Sequence, residues 1–309
     1  MEAIIALLLV ISTLTACSGK APTASQPAEE PTLSMKENAV LSEAAPQTLR
    51  YQVDLVTYED SVSSDDGTEL ANCSFQYPVM TVCWQDGTAV EKGQTTEEEQ
   101  ALAAAEAFND QFGPETVEEE FQEMAALAWD DLSFRQESGL EWTSPYTMEM
   151  DCSVYQTGQM VSVSAEYYSY TGGAHPNTVL LAWNFDLTTG QFFTAEVLAA
   201  DGQAFSDAVH AEIMRQSRLV AAENDLTAEE FFWPNYEEIT ASWSSYAVSF
   251  DESGMTVGFS PYELAAYAMG SQVYHLSYEQ LMPYLSSHGL ELLGLEDAGQ
   301  GDEREAVQS

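Results

Sequence analysis

The side chains to weigh first for chemistry are four histidines, His175, His210, His275 and His288. None forms an HExxH pattern or an i, i+4 pair, so the sequence predicts no zinc site. It also has no Gly-rich phosphate loop, no GxSxG turn and no EF-hand loop. Asp65-Asp66-Gly67 reads as a turn. The acidic runs at 97–99 and 118–120 occupy consecutive helical positions, which diverge, whereas a hard cation needs converging oxygens. No catalytic residue, metal or other cofactor is expected. An enzyme acting on peptidoglycan or another glycan is the alternative. It would need two carboxylates about 5–10 Å apart in a cleft, and among 51 Asp and Glu the sequence cannot locate such a pair.

The most distinctive short stretch is Gly172-Gly173-Ala174-His175, preceded by Tyr167, Tyr168 and Tyr170. Paired glycines suit a tight connection with positive φ, with His175 satisfied by hydrogen bonds. The same loop, ringed by tyrosines, could instead present a contact surface, because Tyr is a strong interface residue. Tyr168, Tyr170, Gly172, Gly173 and His175 form the candidate binding loop.

Cys17, Cys73, Cys83 and Cys152 are the only cysteines. Cys73 and Cys152 both fall on apolar strand faces, so a Cys73–Cys152 bridge is one option, buried free thiols are another, and a turn near Pro78 would open a third, Cys73–Cys83. On one continuous strand, Cys73 and Cys83 would lie ~33 Å apart, too far to join.

Eight Lys and Arg against 51 Asp and Glu give a formal charge of −43. Nucleic-acid binding needs the opposite sign, to displace phosphate counterions. Docking on anionic lipid is opposed too. Such a field either solvates the surface or accelerates encounter with a basic partner.

The chain has 309 residues, of which 45% are hydrophobic and 11% aromatic. That is enough for one or two domains with a packed core. Alternating patterns predict strands at 49–56, 69–81, 146–154, 160–170 and 178–187, a hairpin at 246–259 and a strand at 272–276. On the second strand, residues 71, 73, 75, 77 and 79 should share the inner face, with Pro78 at an edge or bulge. Helices are predicted at 96–112 (Thr96 capped with Glu99), 115–134 and 201–222. Val117, Phe121, Met124, Leu127 and Ala128 should face inward on the second, and Phe205, Val209, Ile213 and Val220 on the third. Ser260-Pro261-Tyr262-Glu263 reads as a helix start. Thr227 with Glu230, and Ser277 with Gln280, read as capping boxes. The order predicts an α+β fold, with a mainly antiparallel sheet packed by amphipathic helices.

Residues 3–16 are apolar apart from Ser and Thr, too short a run to span a bilayer, which takes ~20. The run fits the core of a secretory signal. It ends in Leu14-Thr15-Ala16-Cys17, which resembles a bacterial lipobox, so residues 1–17 are expected to be a signal with Cys17 lipidated. Residues 18–48, rich in Ala, Pro, Ser, Thr and Glu, read as a flexible tether. Residues 291–309 read as a disordered tail.

Three further stretches complete a series that begins at Tyr167: residues 183–190 (Trp-Asn-Phe-Asp-Leu-Thr-Thr-Gly), 259–270 (Phe-Ser-Pro-Tyr-Glu onward) and 277–281. The series resembles the extracytoplasmic domain family shared by lysozyme-sensing anti-sigma factors of the RsiV type and the non-catalytic region of PdaC-type peptidoglycan deacetylases. The resemblance implies a PdaC-like part at 49–175 and an RsiV-like part at 176–290. It implies a binding or sensing module without the effector segments of those relatives; with Cys17 lipidated, the module is expected on the outer face of the cell membrane, held there by lipid alone. The implied partner is a basic, lysozyme-like protein or peptidoglycan.

Overall fold

In the computed structural model, residues 48–296 are described, so Cys17, the apolar run and the tether lie outside them. Among the described residues nine strands form two sheets. The first has six strands in sequence order: β1 (Leu49–Ser63), β2 (Glu69–Trp84), β3 (Tyr146–Gln156), β4 (Met160–Tyr170), β5 (Asn177–Asp186) and β6 (Gln191–Phe193). The second holds β7 (Ala247–Phe250), β8 (Gly254–Phe259) and β9 (Gln272–Ser277). Every pairing is antiparallel except β2 with β3. The fold is α+β, as the element order predicts. Because β4 and β5 pair across the 170–176 connection, residue 176 lies inside one sheet.

β3 pairs with β2 only over Ala71–Phe75, so Pro78 sits where β2 has a ladder partner on one side alone. Beyond that point the buried side of β2 changes. Ala71 and Cys73 are buried in the first half, but Met80 and Val82 in the second. The expected single inner face therefore ends near Phe75. The cause is twist: the free β1–β2 ribbon coils more strongly than strands held in a wide sheet. Its two halves meet different helices.

Those helices are α1 (Thr96–Asn109) and α2 (Pro114–Ser138). The cap of α1 is Thr95, one residue earlier than predicted; its Oγ1 accepts from the Glu98 N–H at 3.2 Å. α1 packs Ala101, Ala104, Ala105 and Phe108 against Met80, Val82, Val161, Val163 and Phe185. α2 packs Val117, Phe121, Met124, Ala125, Ala128 and Leu132 against Cys73 and Met148. Leu127 was expected inward, but it is exposed, because the 3.6-residue stripe runs through Ala125 and Ala128. Gly139, at φ 66°, ends α2 with a left-handed cap.

The second sheet closes on α3 (Gly202–Glu223), where Asp201 caps Gln203 and Ala204. Phe205, Val209, Ile213 and Ala221 face inward; Val220 is only half-buried. Four short helices finish this core: α4 (Ala228–Phe231), α5 (Tyr236–Ala241), α6 (Tyr278–Leu281) and α7 (Ser287–Leu293). Both predicted capping boxes are present, at Thr227 and Ser277. α7 continues past residue 290, and Leu292 and Leu293 are buried, so the first residues of the expected tail belong to the core. The two sheets meet edge to face. Val248 O accepts from Asn184 Nδ2 at 2.8 Å, and Phe250 N donates to Ser162 Oγ at 2.8 Å. Among the described residues no helix is long and apolar enough to cross a membrane.

Candidate functional site: an aromatic clasp

The Gly172–His175 loop is the hairpin connection between β4 and β5. Gly172 and Gly173 take φ of 86° and 99°, the region where a Cβ is penalised. Tyr170 Oη donates to Gly173 O at 3.2 Å and closes the loop. This turn aims the exposed His175 at a second loop, which follows β8.

That second loop contains the predicted helix start, and it is not a helix. Residues 260–263 form a turn: Glu263 accepts from the Ser260 N–H, half of a capping box, but Tyr262 sits at φ 73°. A left-handed residue stops helix propagation, and for a bulky side chain the conformation costs energy. Three contacts hold it. Trp233 Nε1 donates to Tyr262 O at 3.1 Å, Trp233 N donates to Leu264 O at 2.8 Å, and Leu180 N donates to Ser260 Oγ at 3.1 Å. Despite this constraint the Tyr262 side chain stays 53% exposed.

His175 bridges the two loops. Its ring stacks on Tyr267 with centroids 3.8 Å apart and planes at 17°. Its Nδ1 lies 2.8 Å from Pro176 O, an acceptor only, so Nδ1 carries the proton. Nε2 then accepts from Tyr262 Oη at 3.0 Å. One neutral tautomer satisfies both contacts. The result is a clasp of exposed His175 and Tyr262 with half-buried Tyr267, flanked by Trp233, which is also exposed.

Of the candidate loop residues, Tyr170, Gly172, Gly173 and His175 converge here. Tyr168 lies farther down β4, opposite Thr178. Sequence reasoning missed Tyr262, Tyr267 and Trp233 as parts of the site. The signal was the Ser-Pro-Tyr-Glu motif itself, read as a helix cap rather than as a presented tyrosine.

The three cysteines among the described residues do not pair. Cys73 faces Met148 in the β2–β3 register, and Cys152 lies four residues farther on. That is ~13 Å along the strand, beyond the ~7 Å a disulfide tolerates between Cα atoms. Cys73, Cys83 and Cys152 are free and buried. Burial pushes the Cys73 and Cys152 thiols up to about 12, which leaves them protonated and unreactive. Among the described residues no group of three or more His, Cys, Asp or Glu converges as a metal site.

A second feature lies between the sheets. An open groove of about 730 Å³ has β3 and β4 as its floor, on the face away from α2, and β7 and β8 as its wall. Asp151 and Glu166 line it, facing each other in the β3–β4 register. Charge is lopsided everywhere. Residues 48–296 hold 42 Asp and Glu but only Arg50, Lys92, Arg135, Arg215 and Arg218. Arg135 and Arg215 are already paired, with Asp131 and Glu212.

Fold and surface together define an acidic α+β module of two joined sheets. Residues 65–178 match the family model described as Deacetylase PdaC, and residues 192–279 match the one described as Protein of unknown function (DUF3298). The chain thus carries sequence of the PdaC/DUF3298 type. Among solved structures it is similar to a DUF3298 family member from Bacteroides fragilis (17% identity, TM-score 0.53, 82% of this chain and 99% of that one), a likeness of fold. It also aligns with a DUF3298 family protein from Pseudomonas aeruginosa (13% identity, TM-score 0.40, 79% and 97%). No curated protein matches.

Proposed function

We propose that this protein is a lipid-anchored, extracytoplasmic binding protein that captures a strongly basic protein, lysozyme-like in charge, through the aromatic clasp. The observation that carries this reading is Tyr262, a bulky residue kept in a left-handed conformation with its ring in solvent. Strain of this kind persists where a site needs it. The ring faces of Tyr262 and Trp233 suit Lys or Arg side chains by cation–π attraction. The −43 charge steers such a partner in. The same chemistry gives no nucleophile and no acid–base pair at His175, whose two ring nitrogens are both occupied.

Surface plasmon resonance with lysozyme and cytochrome c, at 0.1 and 1 M salt, tests the reading. The Debye length falls from ~10 Å to ~3 Å over that range. The lysozyme on-rate should drop while its off-rate, set by the clasp, changes little. Equal binding of both proteins, lost entirely in high salt, would reduce the surface to an ion exchanger.

The anchor is proposed from the apolar run ending at Cys17. Two acyl chains give stable attachment where one does not. A fatty-acid probe should label the wild type and not Cys17→Ala; equal labelling of both removes the anchor.

A further inference from the structure

We infer that the groove between the two sheets receives an extended segment of a basic polypeptide, with a Lys or Arg side chain seated between Asp151 and Glu166. This rests on the proposed function and assigns that partner a second point of contact. Asp151 and Glu166 are direct cross-strand neighbours, both exposed, on the open floor of the groove. Neither has a hydrogen-bond or ion-pair partner among the described residues. Like charges placed directly opposite destabilise a sheet. Nothing nearby in the chain relieves them: no Lys or Arg occurs between Arg135 and Arg215, or from residue 219 to 296. A basic side chain brought in by a partner would meet this pair with no competing cation from the described chain.

The rest of the lining fits a polypeptide better than a small ion. Ser153, Ser164 and Ser249 offer hydroxyls that have no partner among the described residues, suited to backbone amides. Leu180 and Val273 add apolar surface along which a Lys or Arg stem can lie. The guest does not extend the second sheet. The outer groups of β7 are already taken, Val248 O by Asn184 and Phe250 N by Ser162. Recognition therefore runs through side chains and charge.

The test is calorimetric titration with hexalysine at low salt. Asp151→Asn/Glu166→Gln should bind about tenfold more weakly than wild type, and should melt no earlier. Asp130→Asn/Glu137→Gln removes the same charge from α2, on the opposite face of the sheet. It should stay within about twofold of wild type, because distant exposed charges are screened. Equal losses in the two double variants overturn the groove. If the groove variant melts early, Glu166→Gln alone is compared with Glu137→Gln by the same criterion. A preference for lysozyme over cytochrome c alongside equal losses leaves the proposed function standing without the groove. Indifference between those proteins alongside a groove-specific loss sinks the proposed function and keeps the groove.

Discussion

Replacing Tyr262 by glycine should leave the protein folded and weaken lysozyme capture by about 30-fold, the equivalent of ~2 kcal/mol for an interface hot spot. The two effects separate because of the backbone. At φ 73° a tyrosine carries a penalty of ~1–2 kcal/mol that glycine does not. The change also removes a half-exposed ring and its hydrogen bond to His175. These roughly offset, so the melting curve should move by less than ~1 kcal/mol of stability. A purely structural tyrosine would give the reverse pattern, a lower melting temperature with capture intact. Thermal melts and plasmon resonance on the same sample decide between them.

Trp243→Ala should be the most destabilising single change, at about 3–5 kcal/mol. Trp243 is fully buried and packs edge-on to Phe205, with centroids 5.8 Å apart. Its Nε1 donates to Ser206 O at 3.3 Å, so alanine leaves a cavity and removes the bond that joins the indole to α3. The indole ties the start of α3 to the segment entering β7, so its loss should loosen the second sheet. Urea unfolding measures it: the midpoint should fall markedly, and a midpoint within error of wild type would show that the core does not depend on this ring.

Much of the fold was legible because it is encoded locally. The β3–β4 hairpin alternates with period two and turns at Thr157-Gly158. α3 has Asp201 as its cap and a stripe of apolar residues at helical spacing. The Thr227 and Ser277 caps were readable from two residues each. Positive φ at Gly172 and Gly173 followed from residue type. Where local signals conflicted with long-range demands, the reading failed. Ser260-Pro261-Tyr262-Glu263 has every mark of a helix start, yet contacts from Trp233 and Leu180 fix Tyr262 in a left-handed turn. The inner face of β2 is regular in sequence, but the coil of the free β1–β2 ribbon reverses it beyond Phe75.

What the sequence by itself determined is therefore the class, α+β, the positions of most elements, the acidic surface and the loop that carries His175. Those follow from side-chain periodicity, capping chemistry and charge, each readable within a few residues. Only the tertiary structure decided that His175 meets Tyr262 and Tyr267, 87 and 92 positions away, that Asp151 faces Glu166 across a groove, and that Cys73 and Cys152 stand apart. The reason is that strand register and loop docking are set by sums of many weak contacts between distant segments. No single residue type announces them.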